Sequence, residues 1–242
     1  MQKNMWPDFS KRSYTKELLD NDSIPAEHLW INLYELDIIN RYLGGHRATL
    51  RALDKLTWDA SRTYTVLDIG CGGGDTLRAV ARWATKRGLT IELTGVDLKN
   101  DCVHYAKQQC SLHPNIHIHQ SDYRDVVNGQ SNFDVVITSL FCHHLHNDEV
   151  VALLTWCTQH ARKATLVNDL HRHWLAYYSI RLLTRLFSNS YLVKNDAPLS
   201  VWRGFKRQEL EAILQRVSST TGIIFWSWAF RWIVLIKNNS AV

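Results

Sequence analysis

The 242-residue chain is poor in the residues that mark several common protein classes. Its five cysteines are an odd number and include no Cys-x-x-Cys pair, which favours neither a disulfide framework nor a zinc ribbon. Four prolines and eleven glycines are too few for a low-complexity chain. No apolar run approaches the roughly 18 residues of a membrane span, and the polar N-terminus lacks the apolar run of a signal peptide. We therefore expect a soluble, cytoplasmic protein.

The chain also has only a small excess of positive over negative charge. The formal net charge is +5 and the pI is about 9.0, a mildly basic balance that favours acidic ligands or anionic surfaces. The basic residues form no clustered stripe, so we expect no nucleic acid as a partner. Ten tryptophans are many for this length and indicate large aromatic surfaces around a pocket or an interface.

From Thr63 onward, apolar and β-branched runs alternate with segments of helical periodicity. The predicted strands are Thr63–Ile69, Ile91–Val96, Ile116–His119, Phe133–Thr138 and Ala164–Val167, followed by a hairpin within Ile223–Ile236. The alternation predicts an α/β fold: a Rossmann-like, mostly parallel seven-stranded sheet with helices on both faces and an antiparallel C-terminal hairpin.

Residues 1–60 are predicted to be a helical N-terminal extension of the domain formed by residues 61–242. Within the extension, helices are expected over Pro25–Leu43 and about Arg47–Leu56, with residues 1–14 loosely ordered.

The alternation of strands and helices stops at about residues 170–204, which we interpret as a lid inserted between the fifth strand and the final helix. The segment is predicted to contain a helix over His173–Phe187 and a looser stretch to Gly204. In one interpretation, aromatic side chains of this helix cover an apolar, aromatic substrate: Trp174, Tyr177, Tyr178 and Phe187. The alternative is an ordinary amphipathic helix on the core.

The most informative motif is VLDIGCGGGD at Val66–Asp75, a strand that runs into a glycine-rich turn and a helix. Gly70 and Gly72 allow the backbone to approach a ligand, and the helix N-terminus offers free N–H donors. A dinucleotide fingerprint would place Gly or Ala at position 75. The negative charge of Asp75 would repel a pyrophosphate, but it would not repel a ligand with a zwitterionic methionine group.

The ordered motifs between about Thr63 and Val167 resemble the class I S-adenosylmethionine-dependent methyltransferases. This resemblance implies S-adenosylmethionine as cofactor and Asp97, in TGVDL, as the acid that binds its ribose hydroxyls. It also implies that Asp122, in QSDY, lies at the adenine edge. The expected cofactor-binding residues are Asp68, Gly70, Cys71, Gly72, Asp97, Leu98, Asp122, Tyr123 and Ser139.

Removal of a proton from a phenolic acceptor suits histidine at neutral pH. His143 and His144 lie in LFCHHL, which is similar to the family's apolar-x-His-His-Leu segment. We favour His144 as the residue facing the pocket, with a purely structural role as the alternative. His171, just after the fifth strand, is the second predicted base, and Asp169 is expected to orient it or to bind substrate.

The pattern C-x2-H-x3-H-x-H at positions 110–119 invites a metal interpretation. His113 belongs to a turn, however, whereas His117 and His119 share one face of a short strand. Surface and strand packing is the favoured interpretation, and no metal is expected there.

A narrower resemblance links INRYLGGHR at Ile39–Arg47 and NDLHRHWLAYYSIRLLTRLF at Asn168–Phe187 to bacterial methyltransferases encoded beside type III polyketide synthases and phenolic-lipid pathways. It implies a role in secondary metabolism: O-methylation of a phenolic hydroxyl on a small, hydrophobic, alkyl-bearing ring. A basic amphipathic helix in the insertion also suits peripheral contact with an anionic membrane that delivers a lipid-like substrate.

Three alternatives stay open. C-methylation of a quinone or polyketide precursor uses the same fold, and the sequence does not separate it from O-methylation. Nucleic-acid methylation is disfavoured because ITSLFCHH stands where an Asn/Asp-Pro-Pro-aromatic motif would be. A non-catalytic cofactor-binding protein is disfavoured by the intact acids and glycines of the cofactor motifs.

Overall fold

The computed structural model describes residues 7–21, 23–126, 132–217 and 222–238. Seven strands form one sheet: β1 Thr63–Ile69, β2 Thr90–Asp97, β3 Ile116–Gln120, β4 Phe133–Ser139, β5 Ala161–Leu170, β6 Gly222–Ser227 and β7 Arg231–Lys237. Their order is β3-β2-β1-β4-β5-β7-β6, and β7 runs antiparallel to both of its neighbours. The predicted fold class is confirmed.

Helices cover both faces of the sheet. They are α1 Ala26–Tyr42, α2 Gly45–Leu53, α3 Asp75–Lys86, α4 Asn100–Gln109, α5 Asn147–His160, α6 Trp174–Phe187, α7 Tyr191–Arg203 and α8 Arg207–Arg216. Short 3-10 turns lie at Leu18–Asp20 and Cys142–His144. The predicted second helix was placed too late: α2 starts directly at Gly45 and ends at Leu53.

Strand β4 shows why the centre of the sheet is so apolar. Its first six residues are buried, as expected for a strand covered on both faces. Because side chains alternate along a strand, Val135 and Ile137 enter the apolar cluster on one face of the sheet, whereas Val136 enters the cluster on the other face. Phe133 joins the cluster of Val136, because the register of β4 shifts between Phe133 and Val135. The two clusters hold the sheet rigid, and its carboxyl edge is left for ligands.

The stretch before Gly204, expected to be loose, is instead helix α7, which contains Pro198. Proline disfavours helix because it lacks an N–H group and clashes with the preceding turn. Here tertiary packing outweighs that cost, since Leu192 and Val193 are fully buried. The side chain of Ser190 caps the helix by accepting a hydrogen bond from the Val193 N–H (3.3 Å).

The prediction that residues 1–14 are loosely ordered is wrong for the described part, residues 7–14. Arg12 is only 8% exposed. Its guanidinium donates hydrogen bonds to the carbonyl oxygens of Arg203 (2.9 Å), Leu145 (3.1 Å) and His143 (3.3 Å). The partners lie more than 130 residues away in sequence, so local polarity could not reveal this docking.

Candidate active site

A cavity of about 830 Å³ lies at the carboxyl ends of β1, β2, β4 and β5, within the range of roughly 300–1,000 Å³ typical of small-molecule sites. Helices α1, α6 and α7 contribute to its wall. All nine predicted cofactor-binding residues line it: Asp68, Gly70, Cys71, Gly72, Asp97, Leu98, Asp122, Tyr123 and Ser139.

The glycine turn is held against the end of β2. Gly70 has a φ of +68°, and a Cβ there would lie 2.5 Å from the Phe141 ring, so a side chain would not fit. The Gly72 N–H donates to Asp97 Oδ2 (3.0 Å), and the Lys99 N–H donates to Asp97 Oδ1 (3.0 Å). Asp97 is thereby fixed at the strand end, facing the cavity.

Asp68 and Arg231 line the cavity, and each has buried polar atoms without a hydrogen-bond partner among the described residues. Asp68 is 1% exposed, and its Oδ1 has no hydrogen-bond partner among the described residues. Burial, reinforced by the nearby carboxylates of Asp75 and Asp97, raises the pKa of Asp68 well above its ordinary value. Hydrogen-bond donors or a positive charge on a ligand would satisfy this group.

Arg231, the first residue of β7, is 3% exposed and lines the same cavity. Its Nη2 donates to Asn40 Oδ1 (2.8 Å), while its Nε and Nη1 lack partners among the residues that the structure describes. Asp75 accepts hydrogen bonds from Asn40 (3.0 Å) and His46 (2.9 Å). A buried guanidinium with free donors suits an anionic group such as a carboxylate.

The residues predicted to lie at the adenine edge have partners or are exposed. Arg124 donates to both carboxylate oxygens of Asp122, at 2.9 and 2.6 Å, and this hydrogen bonding lowers the pKa of Asp122. Tyr123 packs edge-on against Trp156 with ring centroids 5.0 Å apart. Leu98 is 65% exposed, so it contributes an apolar rim to this end of the cavity.

At the other end of the cavity lies a group that we call the histidine cluster: Glu17, Asp20, His143, His144 and Asp169. His143 Nδ1 lies 2.7 Å from Asp169 Oδ1, and the His143 N–H donates to Asp169 Oδ2 (3.1 Å). Asp169 is fully buried, which alone would raise its pKa, but His143 lowers it. The Asp169 carboxylate accepts a hydrogen bond from His143 Nδ1–H, and in the neutral imidazole with this tautomer Nε2 carries the lone pair.

Glu17 faces both imidazoles. Its Oε1 lies 3.7 Å from His143 Nε2 and its Oε2 lies 3.8 Å from His144 Nε2. Asp20 Oδ1 lies 3.3 Å from His144 Nδ1. Burial raises the pKa of Glu17 to about 7, so this carboxyl group lacks full compensation for the water it has lost.

Two arginines fix the backbone under the cluster. Arg203 donates from Nε to the carbonyl oxygen of His143 (3.1 Å) and from Nη2 to that of His144 (3.0 Å). Arg12 donates to the carbonyl oxygen of His143 as well. The sharp turn after β4 is therefore held from both sides, which keeps the imidazoles in place.

The two predicted bases lie in different surroundings. His144 lines the cavity, and so does His143. His171 is not among the lining residues: its ring packs on Trp232, 4.9 Å between centroids. Burial, with His173 and Arg172 nearby, lowers the pKa of His171 to about 4. A role for His171 as a base stays a prediction that its position does not support, and Asp169 orients His143 rather than His171.

The predicted lid lies against the cavity, but with a different lining. Its cavity-facing residues include Ala176, Ile180, Leu183 and Val201. The expected aromatic lining is wrong. Tyr177 and Tyr178 pack on Phe9, and Trp174 and Phe187 are 56% and 77% exposed.

Glu17, Asp20 and Arg231 were missed from the sequence. They lie in no motif, and the chain separates Glu17 from the histidines by more than 120 residues. The only local hint is the sequence ELLD at 17–20, which forms a 3-10 turn with mutual Glu17 and Asp20 capping contacts. Such a turn predicts a cap and not a functional site.

The cysteine-histidine pattern at 110–119 does not assemble among the described residues. His117 pairs with Glu92 (3.2 Å), and the Cys110 thiol lies near the Gly74 carbonyl oxygen. Within the described ranges, the groups whose ligand atoms lie close enough to share a cation are Glu17-His143-His144 and Asp37-His46-Asp75.

Comparison with known proteins adds a family assignment for the central segment. Residues 66–164 match the family model described as "Methyltransferase domain". A ribosomal protein L11 methyltransferase of Clostridium botulinum is 30% identical over 114 residues, 46% of this chain and 32% of that protein. The chain thus spans about a third of the length of the curated relatives it matches.

Solved structures share the fold over most of the chain. A SAM dependent methyltransferase from Aquifex aeolicus superposes with a TM-score of 0.63 at 15% identity, covering 89% of this chain and 99% of that one. The plantazolicin methyltransferase BpumL in complex with SAH gives 0.62 at 18% identity, covering 91% of each chain. Among the described residues, no helix has the length and apolarity needed to cross a membrane.

Proposed function

We propose that this chain, whose residues 66–164 match the "Methyltransferase domain" family model, is a class I S-adenosylmethionine-dependent methyltransferase that transfers a methyl group to a small hydrophobic acceptor. The acceptor that we favour is a phenolic hydroxyl on an alkyl-bearing ring. The observation that carries the proposal is one cavity with two chemically distinct ends: the acids of the glycine turn and the histidine cluster.

The residues present fit S-adenosylmethionine. Asp68, whose Oδ1 has no partner within the described ranges, suits a ligand ammonium. Arg231, whose Nε and Nη1 have none there either, suits a ligand carboxylate. An amino-acid zwitterion carries both groups. Asp97 at the end of β2 would hold ribose hydroxyls, and Tyr123 and Leu98 would flank the base.

When bound, S-adenosylmethionine supplies a methyl group on a positively charged sulfur. The protein must then align the acceptor oxygen with the methyl carbon and exclude water. Transfer to the acceptor would form an oxygen–carbon bond as the carbon–sulfur bond breaks, and the sulfur would keep the electron pair. The acceptor proton passes to an imidazole Nε2, for which we propose His144, with His143 held beside it by Asp169.

The acceptor class is supported by the wall that the lid adds. Ile180 and Leu183 of α6 and Val201 of α7 line the cavity and suit an apolar ring or chain. C-methylation would need groups that stabilise a carbanion on the acceptor ring. The imidazole–carboxylate pairs favour removal of an O–H proton instead.

We also propose peripheral contact with an anionic membrane, from which a lipid-like acceptor would be taken. Leu175, Leu182 and Leu186 of α6 recur at helical spacing and are 43%, 59% and 65% exposed. Arg181 and Arg185 belong to the same helix. A solvent-facing apolar row beside basic side chains is typical of helices that lie on membrane surfaces.

Calorimetric titration with S-adenosylhomocysteine tests the cofactor site. We expect Asp97→Asn to weaken binding by at least about tenfold, because charge-assisted hydrogen bonds contribute roughly 1.5–3 kcal/mol. Glu92→Gln is the matched control, since Glu92 lies on the same strand and its side chain is 47% exposed. If wild type does not bind, or if both variants bind equally well, the proposed site is wrong.

The acceptor is tested separately with a panel of alkyl resorcinols, quinols and fatty acids, using product mass and fragmentation to locate the methyl group. We expect methylation on a phenolic oxygen. A methyl group on ring carbon would replace our proposal with C-methylation. Methylation of RNA or DNA would assign the nucleic-acid alternative.

A further inference from the structure

We propose that Glu17, His143 and His144 form a binding site for one divalent first-row transition metal ion, with Zn²⁺ as the best match, at the acceptor end of the cavity. The three residues line the cavity wall. Two imidazoles and one carboxylate are a ligand set of catalytic zinc sites, in which a further position stays open for water or substrate.

The spacing of the ligand atoms supports this site. One ligand atom from each of Glu17, His143 and His144 lies within 4.8 Å of the other two. His143 Nε2 lies 3.7 Å from Glu17 Oε1 and His144 Nε2 lies 3.8 Å from Glu17 Oε2, distances too long for hydrogen bonds. Ligands at about 2.1 Å from a tetrahedral ion lie about 3.4 Å apart, so the nitrogen–oxygen distances need to shorten by a few tenths of an ångström and no pair of ligand atoms by more than about 1.4 Å.

Both imidazoles are oriented as metal ligands usually are. A ligating histidine almost always gives its other ring N–H to a carboxylate or a carbonyl oxygen, which fixes the ring and its tautomer. Here His143 Nδ1 lies 2.7 Å from Asp169 and His144 Nδ1 lies 3.3 Å from Asp20. Each Nε2 is thereby left to face Glu17 and the cavity.

The charge balance around Glu17 leaves room for a cation. Glu17 is 5% exposed, and buried carboxylates are generally paired or bound to metal. Arg203 approaches to 3.9 Å, but its N–H groups donate to the carbonyl oxygens of His143, His144 and Thr15. Ser200 donates a single hydrogen bond to Glu17, at 2.7 Å.

The second group of potential ligands lies beside more positive charge. His46 Nε2 lies 2.9 Å from Asp75, within hydrogen-bond distance. Asp37 Oδ2 is paired with Arg78 at 2.9 Å and with Arg41 at 3.6 Å, whereas Asp37 Oδ1 has no hydrogen-bond partner among the described residues. Because two guanidinium groups next to Asp37 would repel a bound cation, we assign the metal to the histidine cluster alone.

A metal at this position deepens the proposed function, on which this step rests. The ion would bind the acceptor hydroxyl at its open position and favour loss of the O–H proton to solvent. The oxygen keeps the electron pair with which it attacks the methyl carbon. In the metal-bound form His144 is a ligand and not the base.

Metal binding is tested on full-length protein without an affinity tag. We expect about one equivalent of Zn²⁺ per chain by mass spectrometry of metals, and visible absorption bands when the chelator-treated protein takes up Co²⁺. Glu17→Gln and His144→Ala should each lower Zn²⁺ affinity by at least about tenfold, and Asp169→Asn by about 10–100-fold. His117→Ala and His46→Ala should bind as wild type does.

Two results would overturn the proposal: wild type that binds no metal after Zn²⁺ addition, or Glu17→Gln and His144→Ala that bind as tightly as wild type. Loss of binding in His46→Ala would move the site to the other cluster and also overturn it. Titration of each variant with S-adenosylhomocysteine monitors folding. Retained cofactor binding without metal would contradict the metal site alone, whereas absent cofactor binding in wild type would contradict the proposed function.

Discussion

At the residue scale, several buried polar groups of the cavity wall are not fully hydrogen-bonded or charge-compensated by the described residues. Asp68 and Arg231 have buried atoms without a hydrogen-bond partner in the part of the chain that the structure describes, and burial raises the pKa of Glu17. Leaving a buried polar group unpaired costs roughly 1–3 kcal/mol. Such groups persist where a ligand completes them, and all three line the same cavity.

His171 illustrates a residue whose electrostatics are set by packing. Its folded pKa of about 4 lies below the ordinary value of about 6.5, so the unfolded chain binds more protons between these two values. Stability should therefore rise with pH across this window, be complete above about pH 6.5, and be lost as pH falls through 4. We expect His171→Asn to flatten this rise by about 1–2 kcal/mol, after discounting for partial exposure.

Urea unfolding of wild type and His171→Asn at several pH values between 4 and 7 measures this effect. An unchanged slope in the variant would show that the folded imidazole is not desolvated. The pH dependence of kcat in the same variant decides the catalytic question. Retention of the wild-type profile would exclude His171 as the base, and loss of its acid limb would restore the sequence-based prediction.

Local motifs predicted most of the residues of the proposed cofactor site, because the order of strands along one sheet edge determines where the glycine turn and the strand-end acids lie. Asp68, Asp97 and Asp122 could be placed in this way. Glu17 and Arg231 could not, since the first comes from a polar N-terminal segment and the second from the start of the last strand. Only the folded chain brings them to the cavity.

At the element scale, the insertion after β5 is a pair of helices, α6 and α7. Helix α6 presents apolar residues both to the cavity and to solvent. Leu183 lines the cavity, whereas its neighbour Leu182 is 59% exposed. Periodicity predicted α6 well. It could not say which face meets the cavity, because the helix carries large apolar residues nearly all round.

We expect Leu183→Ala to raise the KM for alkyl-bearing acceptors several-fold. Leu183 is 37% exposed and lines the cavity, and loss of the methyl groups that a bound acceptor would cover weakens apolar contact by roughly 1–2 kcal/mol. Binding of S-adenosylhomocysteine should not change. Leu182→Ala, the adjacent and outward-facing residue, should leave the KM unchanged. Equal effects of the two variants would show that α6 does not contact the acceptor.

At the scale of the whole molecule, the chain closes a cavity with segments from both of its halves. The described N-terminal residues 7–20 lie across the loop after β4 and against α7, anchored by Arg12 and by the backbone N–H groups of Leu18 and Leu19 on Asp196 (2.8 and 2.9 Å). The outer surface of α6 then remains as an exposed apolar row on the lid. Because this row lies next to the cavity, a lipid-like acceptor could pass from a membrane surface to the proposed site.

This link predicts membrane affinity that depends on both apolar area and charge. We expect wild type to float with vesicles containing anionic lipid, less so with neutral vesicles, and less at high salt, because screening shortens the reach of Arg181 and Arg185. Leu186→Glu should reduce flotation strongly. Leu112→Glu is the matched control, since Leu112 is 90% exposed but lies in the turn after α4. If both variants float like wild type, the outer face of α6 does not meet the membrane, and the acceptor must reach the cavity from solution.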